Sequence, residues 1–153
     1  MTNLENRLPP PALFFALAVA MWFSARGTEA PGLDAGPRLG LVAALALLAA
    51  AFAIPAFMAF RRARTTINPI AIESASALVT DGPYRWSRNP MYVGLASLLL
   101  AWSAYLGAVW SLLGPLLFVL WITRFQIIPE ERVMRAKFGP AFEEYSKRVR
   151  RWI

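Results

Sequence analysis

The chain contains no cysteine and no histidine. These absences remove thiol nucleophiles, disulfides, every histidine-based triad, and zinc or haem sites built on those ligands. They also leave cysteine usage silent about redox compartment. Charge is scarce too: 16% of residues are charged and 58% hydrophobic, with a mean hydropathy of +0.46. A soluble domain runs about 25% charged and about 45–50% apolar. The balance excludes a disordered chain and argues against a water-soluble enzyme built around one buried core. The 153 residues suffice for one domain. Any chemistry has to come from a cofactor or from carboxylate, arginine, tyrosine and backbone groups.

What is present is apolar sequence in blocks. Leu8 to Ala25, Leu39 to Phe60 and Asn89 to Thr123 are uncharged runs of 18, 22 and 35 residues. A membrane-spanning helix needs about 20 apolar residues. The third run is too long for one span and meets a glycine at Gly107, so it divides into a helical hairpin. This predicts an all-α integral membrane protein with four transmembrane helices near 9–26, 38–60, 90–106 and 109–128, forming one domain over 1–153. A signal peptide is the weaker reading of the first run, whose flank holds Arg7 and which opens on Pro9-Pro10-Pro11. Of 16 basic residues, 13 lie in the loop 61–89 or in the tail from Arg124 onward. The positive-inside rule makes that loop, the tail 129–153 and both termini cytoplasmic, in a plasma or inner membrane. The net charge of +7 then reflects topology and anionic headgroups, with membrane lipids as partners and no nucleic acid.

Two cytoplasmic segments carry the polar chemistry. In Asp81-Gly82-Pro83-Tyr84-Arg85-Trp86-Ser87-Arg88-Asn89-Pro90-Met91-Tyr92-Val93-Gly94, the first three residues signal a turn. Asn89 suits an N-cap and Pro90 a first helical position. A helix start beside Arg85 and Arg88 would form an anion site, although arginines at a span end also mark topology and Tyr84, Trp86 and Tyr92 also suit an aromatic belt. In the second segment, Glu130 and Glu131 leave a span just after Pro129. They are costly there without a partner or ligand. As first-turn carboxylates of a new helix, one could face a pocket while the other faces water. After Gly139-Pro140, the residues Phe142, Tyr145, Val149 and Trp152 share one helical face. They predict a C-terminal amphipathic helix lying on the membrane surface.

Leu78-Val79-x-x-Gly82-x-Tyr84, then Arg88-Asn89-Pro90-x-Tyr92-x-Gly94, then Glu130-Glu131, Phe138-Gly139, Tyr145 and Val149 resemble the isoprenylcysteine carboxyl methyltransferase family. The wider group includes phospholipid N-methyltransferases. The resemblance covers roughly residues 65–152 and implies a membrane-embedded enzyme using S-adenosylmethionine at the cytoplasmic face. The cofactor residues it implies are Ser76, Ala77, Leu78, Val79, Tyr84, Asn89, Pro90, Met91, Tyr92 and Glu130, with Arg88 and Glu131 beside them. On the substrate side stand Tyr92, Arg124 and Gln126. The family's usual histidine is Asn89 here, and Gln126 occupies the place where eukaryotic-type enzymes carry a substrate-facing arginine.

Methyl transfer from a sulfonium suits this composition, because the cofactor brings the activated methyl and the protein needs no nucleophile. The expected acceptor is lipophilic: an isoprenylcysteine-like carboxylate, a thiol or a lipid amine. No metal site is expected. Two other readings compete. Membrane sterol reductases resemble this group but use NADPH and tend to follow the Tyr-x-Gly motif with an acidic residue, where this chain has Leu95. An inactive membrane scaffold is the other.

Overall fold

Prolines set where two of the helices begin, because a first-turn residue needs no N–H. In the computed structural model, which describes residues 5, 8–26, 34–63 and 76–153, Pro10 opens α1 (Pro10–Ala25) and Pro90 opens α3 (Pro90–Leu106). Between them, α2 (Ala35–Arg62) ends on Arg61 and Arg62, whose charges complement the carbonyl end of the helix. Residues 27–33 and 64–75 lie outside the described residues. They carry most of the loop expected between the first two spans and the front of the loop expected at 61–89.

The hairpin expected at Gly107 is present. Gly107 takes the left-handed conformation (φ 69°) that ends α3, and its N–H bonds the Ser103 carbonyl at 3.0 Å. The Ser103 and Ser111 hydroxyls, both buried, meet at 2.6 Å across the reversal. The chain returns through a 3₁₀ turn (Val109–Leu112), α4 (Leu113–Ile122), a π-helical turn (Thr123–Ile127) and α5 (Ile128–Phe138). The expected fourth span, 109–128, is therefore part of a continuous helical stretch Val109–Phe138. A proline inside a helix clashes with the carbonyl four residues back. The wide turn just before Pro129, where the Ile128 N–H reaches the Thr123 carbonyl, absorbs that clash and lets the helix run on.

Two helical stretches, Ala35–Arg62 and Val109–Phe138, are long and apolar enough to cross a membrane; α1 and α3 are apolar but shorter. Only 11% of the apolar window of α2 is buried inside the protein, and Leu47, Ile54 and Phe57 point outward. The core helix of a soluble protein would be covered, so lipid is the solvent that this face suits. All regular structure among the described residues is helical.

Small residues seat α3 against α2. A Cβ on Gly94 would stand 3.0 Å from the Ala53 Cβ and 3.1 Å from the Ala49 carbonyl, an approach that a larger side chain would prevent. One core joins α1, α3 and α4 around Leu99, Phe118, Ile122 and Ile127, and the Trp102 indole donates to the Ala18 carbonyl at 3.0 Å. A second cluster, Ala56, Tyr84, Phe142 and Tyr145, joins the end of α2 to the 3₁₀ turn Gly82–Arg85 and to α6 (Pro140–Arg148).

The tail corrects one expectation. The apolar face of α6 covers protein, since Phe142 and Tyr145 are buried in the second cluster. Helix α6 stops at Arg148, and Val149 is extended (φ −121°, ψ 131°). Trp152 therefore leaves the expected face and packs on the other core. Polar partners for the final backbone carbonyls hold this segment out of helix, as described next.

Candidate functional site

The two polar segments converge where α3 begins and the π turn passes into α5. The Tyr92 hydroxyl donates to Glu130 Oε1 at 2.9 Å, and Gln126 Nε2 donates to the same oxygen at 2.6 Å. Gln126 is buried, and both of these donors are neutral. Glu131 is held differently. Arg151 grips it with two bonds, Nε–Oε1 at 2.9 Å and Nη2–Oε2 at 2.8 Å, Arg88 Nη2 reaches Oε1 at 2.7 Å, and Arg135 lies 3.8 Å away. Of the two carboxylates, Glu131 is the buried one, with its charge spent on arginines, and Glu130 is only partly buried. The expected free helix start is also missing, because α5 continues from the π turn and its first N–H groups are already in a helix.

Arg88 and Asn89 also turn inward rather than forming an open anion site. Arg88 Nη1 donates to the carbonyls of Ser146 (2.8 Å) and Val149 (3.1 Å) in addition to its bond with Glu131. Asn89 occupies the N-cap position of α3, but its side chain makes no cap bond. Its Nδ2 donates to the Arg151 carbonyl at 2.9 Å, and the Asn89 N–H is satisfied by Ser87 Oγ at 3.0 Å. A serine two residues ahead of an N–H is a recurrent turn device, and the Ser-Arg-Asn-Pro order carries that signal. Arg151 is the residue the sequence analysis missed. It lies three residues past the end of α6 and reaches Glu131 only through the fold.

Leu78 and Val79 help line a cavity of about 560 Å³ at the end of α2, with Pro55, Ala59, Arg62 and Gly82. Ser76 is exposed and Ala77 partly buried just ahead of them. Pro90 is fully buried and Met91 packs on the second cluster. Tyr84 is buried, and its carbonyl accepts the Tyr145 hydroxyl at 2.7 Å. Burial first, then the neighbouring Tyr145 and the Glu130 carboxylate, push the Tyr84 phenol above its ordinary value. Burial does the same to Tyr145, and the hydrogen bonds to Glu131 raise Arg151 further. Arg124 stands apart from these groups. It is half exposed and pairs with Glu5 at 3.4 Å, a carboxylate that Arg132 also holds, at 2.6 Å.

The arrangement offers a cavity of small-molecule size, lined by Pro55, Ala59, Leu78 and Val79 together with the polar Arg62 and Asp81, and, separately, a part-buried carboxylate bonded to a tyrosine hydroxyl and an amide. It offers no group of Cys or His chemistry, and no cluster of metal-ligating side chains occurs among the described residues.

A protein of Haemophilus influenzae, described only as uncharacterized, is 43% identical over 63 residues, which is 41% of this chain and the whole of that protein. No solved structure matches the chain. The family model for phospholipid methyltransferases matches residues 38–141, a stretch that runs from α2 to the start of α6 and holds Tyr92, Gln126, Glu130 and Glu131. The chain belongs to the phospholipid methyltransferase family, a membrane family whose members transfer methyl groups.

Proposed function

We propose that the protein is an S-adenosylmethionine-dependent methyltransferase that works at the cytoplasmic face of a membrane on a lipophilic acceptor. The observation that carries the proposal is Glu130. It is part-buried where two helices meet and bonded to two neutral donors, and no cation pairs with it among the described residues. The arginines around the adjacent carboxylate all serve Glu131. An enclosed carboxylate without a countercharge is costly. S-adenosylmethionine carries two positive groups, a sulfonium and an ammonium, that could supply one. The residues present fit that cofactor: a carboxylate without a cationic partner, hydroxyl and amide donors bonded to it, and a cavity that Leu78 and Val79 help line.

When bound, the cofactor supplies a methyl group that moves to the acceptor as its carbon–sulfur bond breaks and the electron pair returns to sulfur. The chain's part is to bind, orient and exclude water. Glu130 would hold the cofactor's charge or hydroxyl groups, with its oxygen fixed by Tyr92 and Gln126. Leu78, Val79 and Met91 would cover an apolar surface. The outward leucines of α3 and α4, among them Leu98, Leu116 and Leu117, favour an acceptor that arrives through the bilayer. Arg124 would orient an acidic acceptor, since together with Arg132 it already holds the Glu5 carboxylate, and Gln126 would tune acceptor choice. The family match does not favour the reductase reading.

Calorimetry on the detergent-solubilised protein tests this. S-adenosylmethionine or its demethylated product should bind, and NADPH should not. Glu130→Ala and Tyr92→Ala should each weaken binding without unfolding the protein. A lost hydrogen bond to a charged group is worth about 1.5–3 kcal/mol, roughly tenfold or more in affinity. Unchanged affinity in both variants would refute the site.

A further inference from the structure

Tyr92 and Glu130 sit on different helices and meet directly, hydroxyl to carboxylate, at 2.9 Å; a second set of contacts, outside that pair, braces the two helices. The non-helical segment after α6 runs between them. On one side, the Arg150 carbonyl accepts the Arg88 N–H at 2.9 Å and the Arg151 carbonyl accepts Asn89 Nδ2 at 2.9 Å, which ties the segment to the start of α3. On the other side, the Arg151 guanidinium grips Glu131 in α5, and the Trp152 indole N–H donates to Thr123 Oγ1 in the π turn at 3.0 Å. The chain bends at Arg151, and Arg151 and Trp152 engage two different parts of the helix that carries Glu130. A planar two-pronged contact such as Arg151–Glu131 fixes angle as well as distance.

We propose that residues 150–152 form a cross-strap that sets the spacing of Tyr92 and Glu130, with Arg151 and Trp152 as positioning residues for methyl transfer. Neither makes a hydrogen bond with Tyr92 or Glu130. They act through Glu131, Thr123 and the backbone at the start of α3. Asn89, which stands where the related enzymes have a histidine, holds the strap. The link to methyl transfer rests on the function proposed above; the strap itself does not.

The test therefore has two arms. Because the chain has no cysteine, spin labels placed at Leu98→Cys on α3 and Ala136→Cys on α5 report the helix spacing directly. The strapped protein should give one narrow distance distribution. Arg151→Ala should broaden it, Arg151→Lys should restore it only in part, and Trp152→Phe should broaden it to a lesser degree. Thr123→Val should reproduce the effect of Trp152→Phe, with nothing added in the double variant. In the activity arm, kcat should fall roughly tenfold in Arg151→Ala and recover partly in Arg151→Lys, with acceptor KM little changed. An unchanged distance distribution in both Arg151→Ala and Trp152→Phe overturns the strap. A broadened distribution with unchanged kcat overturns the positioning role. If Arg151→Ala does not fold, Arg151→Lys and Trp152→Phe decide both arms. Failure of the wild-type protein to bind S-adenosylmethionine would count against the proposed function, and the distance arm would still decide the strap.

Discussion

At the scale of the residue, two adjacent glutamates do opposite work. Glu131 is locked in a buried network with Arg88 and Arg151, whereas Glu130 is held by neutral groups. Removing one partner of a buried ion pair strands the other, at a cost of about 3–5 kcal/mol. The side chains of Arg88 and Glu131 are only 11% and 7% exposed, so this penalty applies with little relief from solvent. Glu131→Ala should therefore lower the unfolding midpoint in detergent substantially, whereas Glu130→Ala should leave it nearly unchanged and act on cofactor affinity. Thermal unfolding of the two variants side by side checks this, and equal destabilisation would contradict the division. The sequence could not assign these roles. Adjacent residues on a helix look alike in a string, and the deciding arginine arrives from 20 positions away.

Among the elements, α6 is the one whose attachment is chemical as well as apolar. Tyr145 donates its hydroxyl to the Tyr84 carbonyl, and burial raises both phenols above the ordinary 10.0. In the folded protein both stay neutral where an unfolded chain would ionise them. Their contribution to stability is thus complete below pH 10.0 and is lost as pH rises from there towards the folded values. Thermal melts between pH 8 and 11 should show a decline that begins near 10, and Tyr145→Phe should blunt it. A flat profile would contradict the buried-phenol assignment. The elements themselves were largely legible. Uncharged runs gave α1, α2 and the hairpin at Gly107, because length and hydropathy alone decide them. The π turn was not legible, since a helix that absorbs a proline by widening leaves no compositional mark. The end of α6 was not legible either: the pattern Phe142, Tyr145, Val149, Trp152 continues a helical face through residues that tertiary hydrogen bonds hold out of helix.

For the whole molecule, the distribution of arginine and lysine and the position of the site make one joint statement. Thirteen of 16 basic residues lie in the sequence stretches 61–89 and 124–153, the stretches that lead into Tyr92 and contain Glu130. Four crossings with both termini cytoplasmic would put the Tyr92–Glu130 cluster at the inner leaflet. Reporter fusions after Trp152 and within 61–75 should report cytoplasm, and one near Gly32 the opposite side. A C-terminus on the outer side would contradict the four-span arrangement. How much of the site was legible follows the same division between local and distant signals. Tyr92, Gln126 and Glu130 could be named from short motifs and do come together. Arg88 and Asn89 were named as well, but they serve the tail, because only the fold reveals where the chain returns.

The most direct test of the central proposal is methyl transfer itself. Purified protein incubated with methyl-labelled S-adenosylmethionine and a membrane lipid extract should move label into a lipophilic product, and Glu130→Ala should reduce that transfer roughly tenfold or more at limiting cofactor. Label that stays on the cofactor in the wild-type protein, or that moves only to freely soluble acceptors, would contradict it.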